Sequence, residues 1–194
     1  METRTLRGKQ RLKTRRRILL AACAAFGRAG LASVRTQDIA LEAGVSHGSV
    51  FAHFKTREAL IAAVVEEVVV RAANLVRHEL QVARSARDVL HAHLGALAEH
   101  EGLYANIVAE RRMLPSVVQA RLIEVNSGVA SYLLDALERE RGEGPLKVEP
   151  YFAFNSWLAL VHYYLSNRDL FAPGRSVLTD RAEELVRNYL AMIR

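Results

Sequence analysis

The sequence has few residues that would cross-link or interrupt a chain. Its 194 residues include one cysteine, four prolines and 11 glycines. A single cysteine excludes an internal disulfide and suits a reducing cytoplasm, and Cys23 lies in an apolar run that favours a core position. With 51% apolar residues, the low proline and glycine content excludes a disordered or fibrous chain and predicts an ordinary globular fold.

Long apolar runs are also missing. The most apolar stretch, 59–70, is interrupted by Glu66 and Glu67. It is also shorter than the roughly 20 residues that a bilayer span requires. The basic N-terminus lacks the apolar region and cleavage site of a signal peptide. We therefore expect a soluble, cytoplasmic protein with no membrane partner.

Period-two alternation is absent as well, and apolar residues recur at spacings of three and four. This pattern predicts an all-α fold of nine helices: 15–29, 36–43, 46–54, 56–84, 86–100, 104–113, 116–141, 150–168 and 179–192. Glycine and proline positions predict the breaks, at Gly30, Gly44, Gly102, Pro115, 142–145 and 173–174. Asp180 and Glu183 resemble a capping box for the last helix.

Charge is divided unevenly along the chain. Residues 1–60 hold 12 Lys and Arg against four Asp and Glu, whereas the rest of the chain holds 15 against 17. A basic module on a near-neutral body is typical of a protein that binds a polyanion. A disordered solubilising tail is the alternative, but it would explain only residues 4–13.

The segment "DIALEAGVSHGSVFAHF", residues 38–54, has the pattern of two short helices and a sharp turn. Ile39 and Ala40 face inward on the first helix, and Val50 and Phe54 do so on the second. Gly44 permits the left-handed backbone that a sharp turn needs, and Ser46 suits the N-cap of the second helix. A helix that begins with small polar residues can enter the major groove of DNA.

Residues 17–64 resemble the N-terminal domain of the TetR family of transcriptional regulators. The matching positions are Phe26, Gly30, Ile39, Ala40, Ala43, Gly44, Val45, Ser46, Gly48, Phe54, Glu58 and Leu60. The resemblance implies nine to ten helices, a homodimer, and a C-terminal ligand pocket that usually relieves repression. It divides the chain into a basic arm (1–14), a helix-turn-helix domain (15–56) and a ligand-binding and dimerisation domain (57–194).

The same resemblance, transferred residue by residue, nominates contacts with DNA. They are Arg35, Thr36, Gln37, Ser46, His47, Gly48, Ser49, His53, Lys55 and Arg57. The chain departs from the family at Phe51, where a tyrosine that touches phosphate is common, and at Arg57, where lysine is common. It departs again at Arg35, where a capping Ser or Thr is common, so Thr36 is expected to cap. His47 is either a reader of a base edge or a phosphate contact.

The last two helices are apolar on nearly every side, so they either lie centrally or face a partner. Because the family dimerises through its last two helices, the resemblance implies a homodimer here. The dimerisation candidates are Phe154, Leu158, Val161, Leu165, Leu185, Tyr189 and Ile193.

A set of polar residues predicts a small-molecule site in the C-terminal domain. His93, His100 and Tyr104 recur at helical spacing, and Trp157 and His162 can join them from the eighth helix. The alternative for each histidine is a structural role. Zinc-ligand spacings are absent, so we expect neither a metal nor a cofactor.

These features favour a repressor released from its operator by a small, mostly apolar ligand. An enzyme is disfavoured because the sequence shows no nucleophile–base set. A pocketless DNA-binding adaptor or architectural protein and a transcriptional activator both remain open.

Overall fold

The computed structural model describes residues 2–80, 83, 85–140 and 146–194. Among these residues the chain forms helices and turns with no strand, which confirms the expected all-α fold. The helices are α1 (Glu2–Ala29), α2 (Thr36–Glu42), α3 (His47–His53), α4 (Arg57–Leu80), α5 (Ala86–Ala98), α6 (Glu101–Ala109), α7 (Ser116–Arg139), α8 (Pro150–Ser166), α9 (Arg168–Phe171), α10 (Val177–Asp180) and α11 (Ala182–Ile193), with one 3-10 turn at Arg111–Met113.

The chain divides into two compact units. The first contains Met1–Glu67 and Gly102–Gln119, and the second contains Val68–Glu101 and Ala120–Arg194. Helices α4 and α7 each contribute residues to both units. The segment Gly102–Gln119, which the sequence resemblance assigned to the C-terminal domain, groups with the N-terminal residues.

The N-terminal segment differs from its expected form. Residues 2–14, expected as an arm outside the first helix, are helical and continue into α1. Lysine, arginine, glutamine and leucine all have high helix propensity, and Gly8 is the single helix-weakening glycine among these residues. The basic side chains from Arg7 onward therefore project from a helix.

Other helix boundaries also differ from the prediction. Gly102 lies inside α6 rather than in a break. The last predicted helix is divided at Arg181 into α10 and α11, and Ser176 caps α10 by accepting the Thr179 N–H at 3.1 Å. The eighth helix ends at Ser166, and residues 168–171 form α9. The predicted helix ends at 84 and 141 and the break at 142–145 lie outside the described residues.

The core of the first unit joins α1 to the two short helices. Buried apolar side chains line it from α1 to α4: Ile18, Ala22, Phe26, Ile39, Ala40, Val50, Phe54 and Leu60. Gly30 ends α1 with φ +85° and Gly44 follows α2 with φ +62°, so the two predicted glycine turns are confirmed.

The core of the second unit centres on Trp157 and Tyr189, whose rings lie 5.0 Å apart between centroids. The Tyr189 hydroxyl donates to the carbonyl oxygen of Ala153. The buried Glu101 carboxylate accepts the N–H groups of Val177 and Leu178, each at 3.1 Å, and so satisfies the first turn of α10.

The packing of α6 on α1 predicts the effect of a small substitution. An added Cβ at Gly102 would lie 2.8 Å from the Gly27 carbonyl oxygen. Gly102→Ala should therefore lower the free energy of unfolding by about 1–3 kcal/mol, as overpacking does. Gly95→Ala is the matched control, because Gly95 lies in the middle of α5 and its added Cβ would meet nothing within 4 Å. This substitution should raise the free energy of unfolding by about 0.5–1 kcal/mol. Urea unfolding of both variants measures the difference, and equal effects would contradict a close α1–α6 contact.

Candidate nucleic-acid interface

The turn between α2 and α3 is fixed by an arginine of α1. The Arg17 guanidinium donates to the carbonyl oxygens of Ala43 at 2.6 Å and Gly44 at 2.9 Å. The Val45 N–H also donates to the Ala40 carbonyl at 3.0 Å. These bonds set the direction in which α3 leaves α2.

The two serines at the start of α3 bind each other. Ser46 is the N-cap, as predicted, and its hydroxyl accepts the Ser49 N–H at 3.2 Å. The two hydroxyl oxygens are also 2.8 Å apart. Both predicted contact residues are therefore engaged within the helix, while the neighbouring Gly48 is exposed.

His47 lies at the centre of a surface patch that we define as Thr36, His47 and Phe51. The Thr36 hydroxyl and His47 Nε2 are 3.0 Å apart, which connects α2 to α3. The Phe51 ring meets the imidazole edge-on at 5.0 Å and is 39% exposed. The structure thus brings two of the predicted contacts together, and it adds Phe51 as an apolar neighbour.

His53 is half-buried at the other end of α3. Burial is the largest cause that lowers its pKa, and the positive charges of Arg11 and Arg15 lower it further. The imidazole is therefore neutral at pH 7 and offers hydrogen bonds rather than a charge.

The cations of the first unit fall into two groups. Arg57, a predicted phosphate contact, donates to the Leu31 carbonyl and, at 3.4 and 3.3 Å, to those of Ala32 and Val34. Arg28 pairs with Glu42 at 2.6 Å. The exposed group contains Lys9, Arg11, Lys13, Arg16, Arg35 and Lys55. The predicted contact Gln37 is also exposed.

The start of α2 also differs in detail. Arg35, not Thr36, is the N-cap residue, and its N–H donates to the Asp38 carboxylate at 3.2 Å. Because Thr36 is not the cap, its hydroxyl is available to His47.

In the second unit, His93 and Trp157 form a buried polar pair. The indole Nε1–H donates to His93 Nδ1 at 3.0 Å, and both residues are buried. Burial, with a smaller contribution from His162, lowers the pKa of His93 to about 4. Because indole nitrogen can only donate, the single proton of the neutral imidazole is on Nε2.

The other predicted ligand residues are distributed over both units. His162 is half-buried close enough to His93 to affect its pKa, and His100 is half-buried. Tyr104 belongs to the first unit, where burial raises the pKa of its hydroxyl to about 12. The structure therefore brings His93, Trp157 and His162 together. The described residues contain no cluster of three or more His, Cys, Asp or Glu suited to a metal ion.

The predicted dimerisation residues require a correction. Phe154, Val161, Leu165, Leu185, Tyr189 and Ile193 are all buried within the protomer, and only Leu158 is half-buried. In α8, which is apolar on nearly every side, sequence spacing does not separate the core face from the outer face; in α11, Leu185, Tyr189 and Ile193 form the buried face. The outer face of α8 presents Phe152, 62% exposed, and Tyr163, 56% exposed.

Residues 18–64 match the family model of bacterial regulatory proteins of the tetR family. This match confirms, for residues 18–64, the resemblance seen in the sequence. The uncharacterized HTH-type transcriptional regulator YerO of Bacillus subtilis is 28% identical over 163 residues, covering 77% of this chain and 54% of YerO. The chain thus spans about half the length of this curated relative.

Solved structures show the same fold along most of the chain. A TetR-family regulator from Agrobacterium tumefaciens matches with a TM-score of 0.75 and 19% identity over 94% of this chain and 98% of its own. FadR from Bacillus subtilis, in complex with stearoyl-CoA, matches with a TM-score of 0.70 and 17% identity over 92% of this chain and 98% of its own. No helix among the described residues is long and apolar enough to cross a membrane.

The buried His93 predicts a specific pH dependence of stability. Its folded pKa of about 4 lies below the ordinary 6.5, so the unfolded chain takes the proton first as the pH falls. Stability present above pH 6.5 should be lost progressively down to about pH 4, by up to about 3 kcal/mol. Urea unfolding across this pH range should show a smaller loss of stability in His93→Gln, because glutamine keeps an acceptor for the indole N–H but does not titrate. The control His91→Gln, beside Glu183, should lose as much stability as the wild type. If His93→Gln also loses as much, the pH dependence does not come from His93.

Proposed function

We propose that this protein is a DNA-binding transcriptional regulator, a cytoplasmic repressor that a small molecule releases from its operator. One observation supports this most strongly: His47 and Phe51 lie exposed, with Thr36 hydrogen-bonded to His47, on a helix-turn-helix whose turn is fixed by Arg17. This segment matches the TetR-family model. A helix with such an outer surface fits the major groove, which is about 12 Å wide.

In this proposal the contacts have different roles. His47 reads a base edge, because its imidazole is exposed and oriented by Thr36. Phe51 lies where it can meet a thymine methyl group, an apolar contact known for phenylalanine. The exposed basic side chains of α1, with Arg35 and Lys55, contact phosphates. Gln37, Ser46, Gly48, Ser49 and His53 complete the surface that faces the DNA.

The regulator acts as a homodimer. The exposed aromatic side chains on the outer face of α8, with Met192 on α11 at 58% exposure, supply apolar surface for a second copy. A two-fold dimer places two copies of α3 at half-sites about one helical turn, or 34 Å, apart or slightly farther. Such an operator is palindromic or nearly so.

The DNA-binding role is tested on the fragment directly upstream of the gene. The wild-type protein should be a dimer by light scattering and should bind this fragment in preference to random DNA. Its log affinity should fall with log salt by about 0.9 for each neutralised phosphate. His47→Ala should lose about 1–3 kcal/mol on the preferred site and little on random DNA.

The matched control is Lys13→Ala with Arg16→Ala. This pair should weaken binding to both DNAs alike and make the salt dependence shallower. A monomer with no specific binding would contradict the proposal. Equal loss on both DNAs in His47→Ala would instead make His47 a phosphate contact.

The effector site is proposed in the second unit, around His93, Trp157 and His162, with His100 as a further candidate; Tyr104, which the sequence also nominated, belongs to the first unit. The Nε2–H of His93 is a donor, so the ligand should present an oxygen acceptor on a mostly apolar body. The complex of Bacillus subtilis FadR with stearoyl-CoA supports this chemistry by fold likeness. A pocketless adaptor remains the competing function.

A long-chain acyl-CoA provides the first test of the effector. Stearoyl-CoA should weaken operator binding of the wild-type protein at least about tenfold, within the usual range of allosteric coupling. His162→Ala and His100→Ala should keep the DNA affinity but reduce this response. An unchanged response in both variants would reject these anchors. No thermal stabilisation by any acyl-CoA or free fatty acid would favour the pocketless adaptor.

A further inference from the structure

Three residues at spacings of four along the α6 segment, Gly102, Asn106 and Glu110, meet the end of α1. Residues four apart lie on one face of a helix, and the Glu110 N–H still donates to the Asn106 carbonyl at 2.9 Å. Gly102 lies against the Gly27 carbonyl oxygen. Asn106 donates its side-chain amide to the carbonyls of Phe26 at 2.7 Å and Gly27 at 3.2 Å.

Glu110 binds the chain just after α1 ends. Its two carboxylate oxygens accept the N–H groups of Leu31 at 2.8 Å and Ala32 at 2.6 Å. Gly30 makes this approach possible, because a Cβ there would lie 2.7 Å from Glu110 Oε1 and the backbone has φ +85°. The carboxylate therefore occupies a place that a side chain at position 30 would block.

The connection between α1 and α2 is thus held from two sides. Glu110 accepts from its N–H groups, while Arg57 donates to the carbonyls of Leu31, Ala32 and Val34. This connection leads directly into Arg35 and Thr36, and Thr36 is the hydrogen-bond partner of His47. Its geometry therefore sets the position of α2 and one side of the proposed reading surface.

We propose that Glu110 is a positioning residue for DNA recognition, although it lies outside the matched family domain 18–64. Its charge-assisted bonds fix the α1–α2 connection and, through it, Thr36 and His47. The inference rests on the proposed DNA-binding function. It makes the end of α6 a required part of the DNA-binding unit.

The test compares Glu110→Ala and Glu110→Gln in the full chain, with Glu99→Ala as a control that removes an exposed carboxylate of the same charge. Hydrogen exchange of the Leu31 and Ala32 amides is measured without DNA. In Glu110→Ala it should be about 10- to 100-fold faster than in the wild type, after correction for any change in global stability, because bonds to a charged acceptor are strong. Glu110→Gln retains one acceptor oxygen and should fall between the wild type and Glu110→Ala. Glu99→Ala should match the wild type.

Operator binding supplies the second measurement. Glu110→Ala should weaken binding to the preferred site about tenfold or more and binding to random DNA by less, with partial rescue in Glu110→Gln. If Glu110→Ala does not fold, the Glu110→Gln comparison alone decides between these outcomes.

Faster exchange with unchanged operator affinity would overturn the positioning role, and unchanged exchange would overturn the contact itself. If the wild type binds no DNA, the proposed function fails, but the exchange result still reports whether Glu110 holds the connection.

Discussion

The end of α1 depends on hydrogen bonds supplied from another part of the chain. A helix leaves its last carbonyl groups unpaired, and the next N–H groups need acceptors where the chain turns. Here the Asn106 side-chain amide donates to the carbonyls of Phe26 and Gly27. The Glu110 carboxylate accepts the N–H groups of Leu31 and Ala32. The sharp turn after α1 is therefore stabilised by residues about 80 positions later, which explains why residues 102–119 group with the N-terminal unit.

Positive charge in the first unit has two separate uses. Arg17 and Arg57 direct their planar, multi-donor guanidinium groups at backbone carbonyls, a geometry that lysine does not reproduce. Arg15 stacks over the Phe54 ring at 5.1 Å. Among the described residues, the remaining basic side chains on α1 are exposed, and these are the ones proposed to contact a polyanion. Net charge alone cannot distinguish these groups. An arginine bound to backbone carbonyls and an exposed arginine add equally to the excess positive charge of residues 1–60.

Local patterns predicted local structure. Gly30, Gly44 and the Ser46 cap are confirmed, because each depends on conformational preferences within a few residues. Gly102 was expected to break a helix, yet it lies inside α6, where its missing side chain admits the Gly27 carbonyl. Glu110 has no sequence signal at all, because its partners are 78 and 79 residues away. The predicted DNA contacts follow from family resemblance, but their hydrogen-bond partners within the protein do not.

Helix α8 shows why burial could not be assigned from its sequence. A helix that is apolar on nearly every side has no continuous polar face to mark the solvent side. The structure turns Trp157 inward, where the His93 acceptor satisfies its N–H and an unpaired polar group is avoided. Placing the indole inside fixes the rotation of the helix, and Phe152 and Tyr163 must then point outward. The same buried hydrogen bond that holds the core of the second unit therefore decides which aromatic side chains remain available to a partner.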